Sequence, residues 1–221
     1  MRGTIGAELR HVLSRASLLD AVFGPLAFAV ANALAGTGTA VAVGLGTALA
    51  VVLWRLIRGG SLTYAIGGVG GTVIASLLVG VTGRAEDYFL PGILSGAAMA
   101  AVLIISLMVR YPLVAVASSV TRQWPLGWYL HPRIRPAYMA ATWIWAGFFG
   151  LRALGQYLLY REGSVEVLAT VRVVTGWPAL IGLLVITYLV GRWRLESLAG
   201  PSVEEWEADQ PPPWQGQEHG F

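Results

Sequence analysis

The chain has 221 residues, 56% of them hydrophobic and only 12% charged, with a net charge of +3 and no cysteine. Soluble domains carry about 25% charged residues, so this balance points to the lipid bilayer, and a small charge scattered between apolar runs argues against nucleic-acid binding. The lack of cysteine excludes disulfides, thiolate metal sites and cysteine nucleophiles.

Residues 1–18 are polar and basic, with Arg2, Arg10 and Arg15, and read as a short cytoplasmic lead-in. Span 1 is predicted over Leu19–Ala35, with Asp20 at its start, Pro25 one turn on and Asn32 deep inside. No small-residue cleavage pattern follows this run, so it is expected to stay in the membrane rather than act as a cleaved signal. A tight Gly36-Thr37-Gly38 turn leads to span 2, Thr39–Ile57. Span 3 covers Ala65–Thr82, the charged connection Gly83-Arg84-Ala85-Glu86-Asp87-Tyr88-Phe89 follows, and span 4 runs to Val109. Each span has the roughly 20 apolar residues that cross a hydrocarbon core about 30 Å thick.

Residues 110–136 differ. Leu113–Val120 is apolar but too short to cross, Pro112 and Pro125 bracket it, and Trp124, Trp128 and Tyr129 stand among Arg122, Arg133 and Arg135. That mixture suits the headgroup level and predicts an interfacial helix, with a re-entrant loop as the alternative. Span 5 is Ala137–Tyr160; span 6 is Val173–Val190 with Pro178 inside it. The tail, residues 196–221, holds six of the twelve acidic residues and Pro211-Pro212-Pro213, and is expected to be disordered. The predicted class is therefore an all-α polytopic bundle of six transmembrane helices, residues 19–195, with an interfacial helix between the fourth and fifth.

Orientation follows from arginine. The N-terminus, loop 2–3, loop 4–5 and the C-terminus carry eleven of the fifteen, and the opposite loops carry Arg84, Arg161 and Arg172. The positive-inside rule then places both termini in the cytoplasm.

One charge lies well inside a span. Arg152 stands fifteen residues past Ala137, about 22 Å along span 5, on the side to which Glu86 and Asp87 belong. An arginine facing lipid there is costly, so it is expected to snorkel outward, face a polar cavity, or pair with an acid, for which Asp87 and Glu86 are the candidates. Gln156 is one turn further on the same face, and Asn32 lies at comparable depth. Asn32, Glu86, Asp87, Arg152 and Gln156 thus form a candidate polar site that opens outward; the alternative is a single buried ion pair that fixes packing. Asp20 is a secondary candidate for coupling or proton transfer, or an ordinary helix-starting residue.

Gly67-x-x-x-Gly71 and Gly92-x-x-x-Gly96 have the spacing that lets membrane helices approach closely. His11, His131 and His219 are dispersed, and no metal-ligand spacing or Gly-x-Ser-x-Gly appears. Neither catalysis nor a cofactor is expected. The expected partners are the bilayer, anionic lipid at the basic loop 110–136, and a second copy of the chain.

Pro25-Leu26-Ala27-Phe28, Leu53-Trp54-Arg55, Thr82-Gly83-Arg84-Ala85-Glu86-Asp87-Tyr88-Phe89, Arg110-Tyr111-Pro112-Leu113 and Gly176-Trp177-Pro178 together resemble the bacterial integral-membrane family labelled domain of unknown function 3159, over roughly residues 15–195. The resemblance implies a plasma-membrane protein and defines no biochemical role. A fainter similarity, through Asp20, Pro25-Leu26, Glu86-Asp87-Tyr88-Phe89 and Trp145-Ala146-Gly147-Phe148-Phe149, is to intracellular septation proteins of the inner membrane. Two functions follow as expectations: a small-solute or ion transporter built on the polar site, or a non-transporting envelope scaffold whose tail and basic loop recruit partners.

Overall fold

The computed structural model describes residues 15–57 and 62–217, with side chains from Leu26 onward except at 51, 54–56 and 62–69. Within them all regular structure is helical: α1 (Arg15–Ile57), α2 (Leu62–Thr82), a 3-10 turn (Ala85–Phe89), α3 (Leu90–Met108), α4 (Leu113–Arg122), α5 (Leu126–Tyr129), α6 (Arg135–Glu162), α7 (Val165–Val174), α8 (Trp177–Leu198) and α9 (Val203–Glu207). Helices satisfy their backbone groups internally, which apolar surroundings demand. Where the sequence predicts six crossings, three stretches among the described residues are long and apolar enough to span a membrane: Leu26–Ala50, Ala85–Met108 and Val165–Leu198.

α1 is not one rod. Gly36 has φ 79° and ψ 173°, a backbone region that essentially only glycine occupies. A Cβ added at Gly44 would lie 3.7 Å from Phe28 Cδ2, whereas a straight helix would hold these positions about 24 Å apart. The arms 15–35 and 37–57 therefore run antiparallel, joined by the turn that Gly36-Thr37-Gly38 predicts. The Thr37 hydroxyl bonds Asn32 Oδ1 at 3.1 Å and Thr39 donates to the Ala35 carbonyl at 3.0 Å, which ties the turn locally.

The chain forms two compact units: residues 1–95 with 154–179, and residues 96–153 with 180–221. In the first, Phe28 stacks on Tyr88 with ring centroids 3.9 Å apart and meets Phe89 edge-on. Ala40, Ala75, Val79, Ile93, Val165 and Leu168 close this core. The small residues matter because a Cβ at Gly44 would come within 2.6 Å of Ser76 Oγ. Ser76 is fully buried and its hydroxyl has no hydrogen-bond partner among the described residues. Gly44 is thus the close-approach position, while Gly71 faces open space and Gly96 makes only an ordinary contact with Ala153. Gly67 lies outside the described side chains.

α7 is a separate short helix that packs on α1 and the 3-10 turn. The chain breaks at Thr175-Gly176, so Pro178 falls in the first turn of α8 rather than inside a span. Its missing N–H costs nothing there.

The second unit is centred on Trp128, Tyr129 and Tyr138, all fully buried. Tyr129 meets both of the others edge-on, at 4.9 and 4.8 Å. Two of the aromatics that the sequence assigns to the headgroup level are therefore inside the protein. The tail also departs from expectation. α8 continues to Leu198, α9 follows, and residues 199–217 fold onto this core instead of being disordered. The Trp128 indole donates to the Pro201 carbonyl at 3.0 Å, Val203 is buried, and the Trp206 ring lies against Gly127. Composition missed this because a few apolar anchors within an acidic stretch are enough when a matching cavity exists.

Gly44→Val is expected to lower stability by about 1–3 kcal/mol through overpacking. Ser76→Gly should recover most of that loss in the double variant, measured as thermal unfolding in detergent.

Candidate functional site

Two places concentrate polar chemistry. The first is the charged connection in the first unit. α2 ends where Gly83 takes φ 71° and its N–H bonds the Val79 carbonyl at 2.8 Å. Arg84 then pairs with Glu86 at 2.9 Å, with 56% and 18% of the two side chains exposed. Such a surface pair contributes about 0–1 kcal/mol. Asp87 is different: it is buried, and the Tyr160 hydroxyl donates to its carboxylate at 2.5 Å. The Arg84 guanidinium lies over the Tyr160 ring at 5.6 Å. Glu86, Arg84, Tyr160 and Asp87 therefore form one chain of contacts between the 3-10 turn and the end of α6.

Of the predicted residues, Glu86 and Asp87 have partners in Arg84 and Tyr160. Asn32 serves the Gly36 turn. Gln156 is buried and its amide nitrogen has no partner among the described residues. Arg152, one turn before Gln156, is half-buried and belongs to the second unit. Asp20 lies outside the described side chains. Tyr160 is not among the predicted residues, although 152, 156 and 160 share one face of α6. Arg172, half-buried above Phe89, gave no such signal.

The second place is a cavity of about 600 Å³ in the second unit. Met99, Leu103, Phe149 and Leu184 give it apolar walls. Ser118, Thr121 and Arg122 line it too, on one face at the C-terminal end of α4. Several bonds hold the walls. Trp145 donates its indole N–H to Thr187 at 2.9 Å, the Val114 N–H reaches Thr142 Oγ1 at 3.4 Å, and Ser118 and Tyr129 share a hydroxyl bond of 3.1 Å. Pro112, extended at φ −60°, caps α4, and Arg122 stacks over Trp124 at 5.0 Å.

Beside this lies the folded tail. Ser202 caps α9: its hydroxyl accepts from the Glu205 N–H at 3.1 Å, and its own N–H donates to Glu205 Oε2 at 2.7 Å. The same carboxylate accepts from the N–H groups of Gln215 at 2.7 Å and Gly216 at 3.3 Å. These bonds, that from Ser202 first, hold the Glu205 carboxyl below its ordinary range. His131 meets the Trp214 ring edge-on, and Arg133 lies over the same ring. Burial, and then the charge of Arg133, pushes His131 down.

All regular structure among the described residues is helical, and three stretches are long and apolar enough to cross a bilayer, which points to a membrane protein. The chain belongs to the family described as "Protein of unknown function (DUF3159)", whose model matches residues 15–197. No curated protein and no solved structure matches it.

Tyr160→Phe leaves the buried Asp87 carboxylate without its donor and is expected to lower stability by about 1–3 kcal/mol. Asp87→Asn in that background should restore part of the loss, and a cycle with Arg152→Gln reads any coupling to that residue. The tail yields a pH prediction. Both Glu205 and His131 have folded-state pKa values below their unfolded ones, so each stabilises the docked tail above the unfolded value and loses that contribution as pH falls. Amide protection over 199–217, corrected for the intrinsic exchange rate, should fall as pH drops below the unfolded His value of about 6.5 and again below the unfolded Glu value of about 4.3. Glu205→Gln should abolish the second step.

Proposed function

We propose that this is a bacterial plasma-membrane protein with six spans, both termini cytoplasmic, that binds an anionic, lipid-like molecule in the cavity of its second unit and acts as a carrier or receptor rather than an enzyme. The six spans are the two arms of α1 with α2, α3, α6 and α8. The observation that carries the binding reading is the cavity, whose volume of about 600 Å³ lies within the range of small-molecule sites, about 300–1,000 Å³. Its apolar walls suit an acyl chain. Arg122, with the hydroxyls of Thr121 and Ser118, suits a phosphate or carboxylate head, because guanidinium and hydroxyl donors match such oxygens. Arg110, Arg133 and Arg135 add to the attraction, each basic residue near an anionic leaflet contributing about 1 kcal/mol.

A second reading, transport of a small solute past the outward polar residues, is favoured by buried Gln156, whose amide nitrogen has no partner among the described residues. Its acids, however, already have partners in Arg84 and Tyr160. The envelope or septation scaffold is less well supported, since Val203 and Trp206 of the tail pack inward rather than offering themselves to a partner.

A photoactivatable phosphatidic acid in nanodiscs provides the test. Crosslinks should map to Leu103, Ala117 and Phe149. Ala117→Phe, which fills the cavity, should weaken labelling about tenfold, with the unfolding midpoint unchanged. Uniform labelling over all lipid-facing helices would count against the site. If Gln156→Leu abolished solute flux while labelling stayed intact, the transport reading would stand in its place.

A further inference from the structure

The first unit holds a cation that neither reading uses. Arg172 lies near the end of α7, within the apolar stretch Val165–Leu198, and is half-buried. Its guanidinium sits 5.9 Å from the centre of the Phe89 ring. A Cβ added at Gly92 would lie 2.6 Å from Nη1, 3.0 Å from Cζ and 3.1 Å from Nη2, so the flat end of the side chain rests against the backbone of α3, and a larger residue there would push the guanidinium aside. Gly92, whose spacing with Gly96 suggests helix packing, is thus the seat of an arginine.

Among the described residues no carboxylate pairs with this guanidinium; the phenol of Tyr88 lies near it and is engaged with Thr72. The two acids of the neighbouring turn are occupied: Glu86 bonds Arg84, and Asp87 bonds Tyr160. On α7 itself, Glu166 is exposed in the first turn while Arg172 is in the last. A guanidinium has five N–H donors and stays charged at any pH a protein meets. In apolar surroundings such a group is costly unless an anion joins it. The ring of Phe89 offsets part of the charge through its π-face, but it accepts none of the in-plane N–H bonds.

We infer that Arg172 is an anion site, built by Gly92 and Phe89, that takes a phosphate-type oxyanion. The chemistry that fits is tetrahedral oxygen able to accept two parallel N–H bonds from one fork. A phospholipid head from the surrounding leaflet and free inorganic phosphate both supply it. The inference is independent of the cavity in the second unit, which shares no residue with it.

The experiment compares thermal unfolding of the full chain in micelles of a maltoside detergent, which carries no phosphate, alone, with added phosphatidylglycerol, and with added inorganic phosphate. Saturating a stabilising site should raise the wild-type midpoint by about 3–8 °C. A rise with phosphatidylglycerol alone identifies a lipid head; a rise with phosphate identifies a soluble anion. Arg172→Gln should abolish the response. Gly92→Ala, which keeps the charge but displaces the guanidinium, should weaken it, and serves alone if Arg172→Gln does not fold. Equal midpoint shifts in wild type and both variants, or no shift in wild type with either anion, would overturn the site.

Discussion

A carboxylate shut away from water needs a donor, and in the first unit that requirement decides which elements meet. Asp87 is buried in the short turn between α2 and α3, and its donor is the hydroxyl of Tyr160, 73 residues later in the chain. A short hydrogen bond to an ionised acid is among the stronger neutral-to-charged contacts a protein makes. Once it forms, the end of α6 is held at the 3-10 turn, and α7 follows onto the same surface. Tyr88 and Phe89, the next two residues of the turn, are then in place to close on Phe28 of α1. Offset and edge-on ring pairs each add about 0.5–1.5 kcal/mol beyond their buried area. One bond and one aromatic cluster therefore organise four helices.

The second unit obeys the same requirement with different groups. Its inward-facing polar groups are two indole N–H groups and hydroxyls rather than a carboxylate. Trp128 finds its acceptor in the carbonyl of Pro201, and Trp145 in the hydroxyl of Thr187. The first of these bonds recruits the tail. A segment rich in acids and proline gains a fixed position because its few apolar residues, Val203 and Trp206, fill places beside Trp128 and Gly127. The Glu205 carboxylate then gathers three backbone N–H groups that would otherwise need water.

Glycine serves three distinct purposes here, and spacing alone does not tell them apart. At Gly36 the need is a backbone angle closed to other residues. At Gly44 it is the approach of α2, whose Ser76 leaves no room for a side chain, and at Gly92 it is space for the guanidinium of Arg172. Only the first could be anticipated, since a Gly-x-Gly turn between two apolar runs of membrane length has few other uses.

The sequence by itself determined the helical class, the family and the reversal at Gly36. Each rests on local information: apolar run length, turn chemistry, a rare cluster of charges. Only the tertiary structure decided the partners. Asp87 could have met any donor on the right side, and the choice of Tyr160 depends on where the end of α6 comes to rest. The folded tail, the cavity beneath α4 and the seat of Arg172 were likewise hidden, because each is made by residues far apart in the chain. Their chemistry exists only when packing brings them within a few ångströms.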